Sequence, residues 1–118
     1  MKGTCHCGAV ELEVELLHGL TDASRCDCSF CRRKGTIGVT ARLNDLRVVR
    51  GADNLTLYQW GTKTARHWFC RTCGIHTHHQ RRSNPEEYGV NAGILEGVNP
   101  RDLGDVPWSD GVNHPSDR

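Results

Sequence analysis

The sequence predicts a mainly β fold, sandwich-like or barrel-like, with little helix. Three observations support this class. Several short segments alternate apolar and polar residues with a period of two, turn-forming residues separate them at close spacing, and helical signals are confined to single turns. The chain has 118 residues, which suits one domain. We therefore expect a single domain over 1–118 that ends in an extended tail over 105–118.

The first strand is predicted at 10–16, where apolar residues alternate with glutamates, as is typical of a half-buried strand. Further strands are predicted at 36–43, 46–49, 55–60, 65–70, 75–80 and 88–95. Two helical turns are expected. One follows Cys31, and the other lies at 99–103, where Asn99 can cap the turn and Pro100 suits the first helical position.

Composition and charge exclude several classes of protein. The hydrophobic fraction of 36% and the aromatic fraction of 6% predict a modest core. Fifteen basic and 14 acidic residues leave a net charge of +1, which argues against wrapping of nucleic acid. No apolar stretch approaches the ~18 residues of a membrane helix, and the first residues lack the apolar run of a signal peptide. We expect a cytoplasmic protein with no membrane or nucleic-acid partner, and homo-oligomerisation is left open.

Seven cysteines beside a single methionine are the most informative feature of the composition. The odd count fits poorly with a complete set of disulfides, and the cysteines fall into three groups: Cys5 and Cys7, then Cys26, Cys28 and Cys31, then Cys70 and Cys73. Two residues between cysteines, followed by glycine, are typical of a zinc knuckle. The two outer pairs can together close a tetrahedral zinc site.

The middle group offers three thiolates and leaves a fourth position open, as expected of a reactive zinc. We therefore expect two zinc ions per chain, the second held less tightly and more readily found absent or at partial occupancy. Three thiolates make zinc a weaker Lewis acid than three neutral histidines would, which favours thiol chemistry over hydrolysis. The alternatives are ordinary buried thiols or a redox-active disulfide within this group.

Three motifs carry a resemblance to a known family. Gly-Thr-Cys-His-Cys-Gly, Cys-Asp-Cys-Ser-Phe-Cys-Arg and Phe-Cys-Arg-Thr-Cys-Gly follow one another in this order. The chain thereby resembles the glutathione-dependent formaldehyde-activating enzyme family, with which the centromere protein V domain belongs. The similarity runs from Gly3 to about Gly97, and all seven cysteine positions of the family are present.

The resemblance implies a β-tent fold, in which small antiparallel sheets lean together around zinc. It implies a structural zinc on Cys5, Cys7, Cys70 and Cys73. It also implies a catalytic zinc, near the glutathione site, on Cys26, Cys28 and Cys31. The implied reaction condenses formaldehyde with glutathione to S-(hydroxymethyl)glutathione, as a carbon–sulfur lyase would. Glutathione or another small thiol, together with an aldehyde, are the expected partners.

Histidines of the predicted strand 75–80 are candidate catalytic residues. His76 and His78 are two positions apart and are expected to share a face, while His79 takes the other. They could complete the middle zinc site or transfer a proton to or from the hemithioacetal oxygen. The alternative is a polar, half-exposed strand face. His67 is expected to donate a hydrogen bond near a zinc ligand or to point to solvent.

Basic and aromatic residues add further candidates. The guanidinium group of arginine matches the geometry of a carboxylate, so two clusters of basic residues could bind the two carboxylates of glutathione. The first cluster is Arg32, Arg33 and Lys34, and the second is Arg81 and Arg82. A solvated surface is the alternative. The three tryptophans are expected in the core or in pocket walls: Trp60, Trp68 and Trp108.

Three functions are compatible with these features. The first is a zinc-dependent carbon–sulfur lyase that acts on thiol–aldehyde adducts. The second is a zinc-stabilised binding module for protein or nucleic acid, although the near-zero net charge and the open three-thiolate group argue against it. The third is a thiol-redox or metal-storage role of the middle cysteines.

Overall fold

The computed structural model describes residues 1–113, and within this range ten strands form three small sheets beside one helix of a single turn. The strands are β1 (Lys2–Thr4), β2 (Glu11–Val14), β3 (Arg25–Cys26), β4 (Gly38–Arg42), β5 (Leu46–Arg50), β6 (Leu55–Tyr58), β7 (Arg66–Cys70), β8 (His76–Gln80), β9 (Glu87–Asn91) and β10 (Trp108–Ser109). The helix α1 covers Cys31–Lys34, and 3₁₀ turns cover Leu43–Asp45, Ala52–Asn54, Ala92–Ile94 and Pro100–Leu103. The predicted mainly β class is confirmed. No helix in the described range is long and apolar enough to span a membrane.

The largest sheet has the antiparallel order β4-β9-β8-β7-β6, and a smaller antiparallel sheet has the order β1-β2-β5. The alternation in the sequence explains β2, because Leu12 and Val14 are buried while Glu13 between them is exposed. Val14 belongs to one buried cluster with Val39 of β4 and Val90 of β9. The small sheet therefore packs against the β4–β9 end of the large one.

Each of the predicted strands has a counterpart in the structure. The last of them ends early, because the Asn91 side chain accepts a hydrogen bond from the Gly93 N–H at 3.0 Å and starts the 3₁₀ turn Ala92–Ile94. Both predicted helical turns are present. The Asn99 side chain caps the second by accepting from the Arg101 N–H at 3.2 Å. Strands β1, β3 and β10 were not predicted, because two or three residues are too few to show an alternation.

A β-bulge in β8 changes which histidines share a face. The register between β7 and β8 shifts so that Thr77 is an extra residue on β8. As a result the ring of His76 lies 5.8 Å from that of His79, whereas His78 stacks on Trp68 at 4.8 Å on the opposite face. The expectation that His76 and His78 share a face is therefore wrong.

The described part of the predicted tail, 105–113, contributes the short strand β10. This strand pairs in parallel with β3, so that Trp108 is opposite Arg25 and Ser109 is opposite Cys26. The pairing brings a late part of the chain beside the middle cysteines. The last five residues of the predicted tail lie outside the described range.

Candidate metal centre and active site

The outer cysteines lie together at one end of the fold. Two follow β1 and two lie at the turn from β7 to β8, and their sulfur atoms are all within 4.8 Å of one another: Cys5, Cys7, Cys70 and Cys73. A glycine follows each pair, Gly8 with φ 80° and Gly74 with φ 78°. A side chain disfavours this left-handed conformation, so glycine allows the backbone to turn back at each pair.

The sulfur spacing in this outer group fits a tetrahedral metal ion. The Cys7 Sγ lies 3.6 Å from that of Cys5 and 3.7 Å from that of Cys70. Zinc–sulfur bonds of about 2.3 Å in a tetrahedron set the sulfurs about 3.8 Å apart. The Val10 N–H donates to the Cys5 Sγ and the Asn54 side-chain amide to the Cys70 Sγ, each at 3.3 Å. The group can therefore enclose one ion with four protein ligands.

The middle cysteines form a second, separate group, and their sulfurs also lie within 4.8 Å of one another. Cys26 ends β3, Cys31 begins α1, and Cys28 lies in the loop between them. The Cys31 N–H donates to the Cys28 Sγ at 3.2 Å. A hydrogen bond from the Cys31 thiol lowers the pKa of Cys26 to about 5, and the same bond raises the pKa of Cys31. None of the three is in a disulfide. Three converging sulfurs suit an ion whose fourth position is left for a ligand.

A cavity of about 170 Å³ lies beside this middle group. Cys26, Cys28 and Cys31 all border it, and none of the outer cysteines does. Side chains from other parts of the chain that complete its lining include Arg25, Lys34, Trp60, His67, His79, Arg81, Arg82 and Ser109. Four of the lining residues are Arg or Lys and none is Asp or Glu, so the cavity favours an anionic ligand.

The arginines of the cavity differ in how fully they are hydrogen-bonded. Arg25 donates to a backbone carbonyl at 3.0 Å, and Arg81 pairs with Glu87 at 3.7 Å. Arg82 donates through Nη2 to the Gly111 carbonyl at 3.3 Å, but its Nη1 is buried and has no partner among the described residues. Arg82 therefore keeps one N–H donor unused at the cavity wall.

Some of the candidates from the sequence do not reach the cavity. Arg32 and Arg33 are exposed on α1 and are absent from its lining. Trp108 is 61% exposed, so the expectation that it is buried or in a pocket wall is wrong. Trp60 does border the cavity, and the Arg82 guanidinium lies 5.8 Å from the centre of its ring.

Two histidines of the cavity wall come from neighbouring strands. His67 of β7 is paired with His79 of β8, and their rings stack at 5.0 Å. The Nδ1 atom of each is buried without a hydrogen-bond partner in the described range. Gly89 of β9 makes room for His79, because a Cβ there would lie 2.3 Å from the His79 ring. His79 belongs to the strand histidines expected near the middle zinc site. His67, in contrast, was expected near a zinc ligand or in solvent, and the pairing of β7 with β8 brings it into the buried cavity wall beside His79.

The two catalytic candidates have different surroundings. His76 lies near the cavity histidines, with its ring 6.2 Å from that of His67, whereas His78 faces Trp68. Neither of the two borders the cavity itself. Neither joins the middle sulfurs within 4.8 Å, and the same holds for every other described histidine. Burial lowers the pKa of His76 to about 2 and the pKa of His67 and of His78 to about 4. These rings are therefore neutral near pH 7.

The segment after β10 covers the middle cysteines. The carboxylate of Asp27 accepts hydrogen bonds from the N–H groups of Gly111 at 2.8 Å and Val112 at 3.3 Å. A Cβ at Gly111 would lie 2.5 Å from the Cys28 Cβ, so only glycine fits there. Asp27 thus holds this segment against the loop that carries the sulfurs.

The fold and these sulfur groups define a class of small β protein with one enclosed and one open cysteine group, each suited to a metal ion. The chain belongs to the glutathione-dependent formaldehyde-activating enzyme family, whose family model matches residues 1–105. That match includes all of the cysteines described above.

Individual proteins show the same relationship. A Halomonas elongata protein whose name carries the same family description is 36% identical over 81 residues, which are 62% of this chain and 51% of that protein. The chain thus spans about half the length of this curated relative. A crystal structure of a Rhodobacter sphaeroides protein, a structural genomics target, is 82% identical, with a TM-score of 0.91 over 92% of this chain and 100% of that one.

Proposed function

We propose that this protein is a zinc-dependent enzyme of the carbon–sulfur lyase type that joins a thiol to an aldehyde and splits the adduct again. Glutathione is the proposed thiol and formaldehyde the proposed aldehyde, as the family description indicates. The observation that carries the proposal is the open group of three sulfurs beside a cavity with cationic and no acidic side chains.

The proposed metal assignment follows from the donor sets. Cys5, Cys7, Cys70 and Cys73 would hold a structural zinc, and Cys26, Cys28 and Cys31 would hold the catalytic one. Zinc bound by the middle group would lower the pKa of an incoming thiol and favour its thiolate. Soft sulfur ligands in a tetrahedral arrangement suit zinc better than magnesium or calcium.

The residues of the cavity would bind and orient the thiol. Glutathione carries two carboxylates. A small shift of the Arg82 side chain would bring its Nη1, which has no partner among the described residues, to one of them as a charge-assisted donor. Trp60 backs this guanidinium and shields one side of it from water. A thiol without a carboxylate would lack this contact, so the cavity favours thiols that carry a carboxylate.

The reaction then needs little more than orientation and proton transfer. The thiol S–H bond breaks, the sulfur electron pair forms a bond to the aldehyde carbon, and the carbonyl π pair moves to oxygen, which gains a proton. The thiol loses one proton and the oxygen gains one, so the step is balanced without an oxidant or reductant. The reverse order of events splits the adduct.

Exchange NMR tests the proposal directly. With ¹³C-formaldehyde and glutathione at equilibrium, the zinc-loaded protein should speed the exchange between free formaldehyde and the S-hydroxymethyl adduct above the uncatalysed rate. The Cys28→Ser variant should lose the acceleration while it keeps its fold by circular dichroism. Equal exchange rates with and without the wild-type protein would refute the function.

A further inference from the structure

We propose that Lys34 is the catalytic acid that protonates the aldehyde oxygen as the carbon–sulfur bond forms. This assignment rests on the proposed function and adds a residue to it. Lys34 ends the single turn of α1 that begins at Cys31, so the middle sulfurs and the lysine are carried by one short segment. It borders the same cavity as the three sulfurs.

The surroundings of Lys34 hold its amine in place. Its Nζ lies 3.3 Å from the His76 Nε2 and 5.3 Å from the centre of the Phe30 ring. An ammonium can only donate, so His76 must present an unprotonated Nε2 to it. His76 is therefore a positioning residue for Lys34 rather than an acid itself.

The histidines near the cavity are poor sources of this proton. Burial and the nearby charge of Lys34 lower the pKa of His67 to about 4 and that of His76 to about 2, and they hold the pKa of His79 well below its usual value. A neutral imidazole is too weak an acid to act as a general acid near pH 7. An ammonium at Lys34, beside His76, carries the proton that these rings lack.

Other charges also act on Lys34. Burial lowers its pKa, negative charge on the middle cysteines raises it, and the Arg81 guanidinium lowers it. The net effect is a lowered pKa, which makes the ammonium a better proton donor than a lysine in water.

The proton balance closes within the cavity. The ammonium gives one proton to the oxygen as the carbonyl π pair arrives there, and it becomes an amine. The amine then takes the proton that the next thiol loses when its S–H bond breaks. In the reverse reaction, the amine accepts the hydroxyl proton as the carbon–sulfur bond breaks.

The Lys34→Arg variant is the decisive test, since arginine keeps the charge but does not release its proton. We expect its exchange rate, measured by the NMR assay above, to fall by about 10²- to 10⁴-fold, the range for loss of a general acid. Its glutathione affinity by calorimetry should stay within about threefold, because the charge remains. Arg32→Met, an exposed change on the same turn, should leave both values unchanged.

The Lys34→Ala variant gives an independent readout. Added methylamine should restore part of its exchange rate, and amines of lower pKa should restore it to a degree that follows their acidity. A wild-type rate in Lys34→Arg would overturn the proposal. So would a zinc-loaded Lys34→Ala that binds glutathione but gains nothing from any amine. A wild-type protein that gives no acceleration would instead refute the proposed function.

Discussion

Gly111 lies so close to Cys26 that a Cβ on the glycine would be only 2.6 Å from the cysteine sulfur. The two residues are far apart in the chain, and the parallel pairing of β10 with β3 brings them together. The segment after β10 therefore forms part of the wall around the middle sulfurs. Any side chain at Gly111 has to displace either this segment or the sulfur.

Gly111→Ala should weaken metal binding at the middle cysteines. The added methyl overpacks the contact, at a typical cost of about 1–3 kcal/mol. We expect a lower zinc affinity for the second ion, measured by competition with a chromophoric chelator, and an unchanged first ion. Gly38→Ala is the control, because a Cβ there would meet its nearest atoms at an ordinary 4.0 Å. Equal zinc affinities in both variants would contradict this account of the Gly111 contact.

Cys70→Ser should destabilise the whole fold. Cys70 is fully buried in a cluster with Leu12 and Ile94, and its sulfur accepts a hydrogen bond from Asn54. Loss of a structural ion belongs to the few single changes that cost more than about 4 kcal/mol. Urea unfolding of the zinc-loaded protein measures the cost. Cys28→Ser, outside this cluster, should unfold at nearly the wild-type concentration of urea, and a similar loss in both variants would argue against separate roles.

Arg82→Met should weaken the binding of glutathione more than that of a neutral thiol. Hydrogen bonds to charged groups contribute about 1.5–3 kcal/mol, so we expect the glutathione affinity to fall by about 10- to 100-fold. The affinity for 2-mercaptoethanol, which has no carboxylate, should change little. Calorimetry on the zinc-loaded protein measures both, and Arg33→Met serves as an exposed control outside the cavity. Equal losses for the two thiols would point to a purely structural role of Arg82.

Stability should fall as the pH decreases from about 6.5 to about 4, because burial lowers the pKa of His78 to about 4 in the folded protein. Below pH 6.5 the unfolded chain binds a proton on His78, whereas the folded chain binds it only near pH 4. The contribution of neutral His78 to the free energy of unfolding is therefore complete above pH 6.5 and is lost progressively below it. For this one buried histidine the loss is on the order of 3 kcal/mol.

The His78→Phe variant isolates this effect from the release of metal at low pH. Urea unfolding at several pH values between 7.5 and 4.5 should give a shallower dependence for the variant than for the wild type. The comparison uses the slopes, so an offset from the lost Thr77–His78 hydrogen bond does not matter. Identical slopes would show that His78 does not contribute.

Much of this fold could be predicted from local patterns. The alternation in β2 reports directly which side chains face the core, and the cysteine spacings report which sulfurs converge. The face of His76 could not be predicted, because it depends on a one-residue bulge at Thr77 that leaves no local signal. The position of Gly111 beside the middle cysteines could not be predicted either. It depends on the pairing of β10 with β3, two strands of two residues each that are far apart in the sequence.

Native mass spectrometry of the wild type and of Cys28→Ser, with and without glutathione, tests the central claim most directly. The claim is that the two cysteine groups hold separate ions and that only the middle one receives the thiol. The wild type should carry two zinc ions per chain and bind glutathione, whereas Cys28→Ser should carry one zinc and bind none. A single zinc on the wild type, or glutathione bound equally well to the one-zinc variant, would contradict the claim.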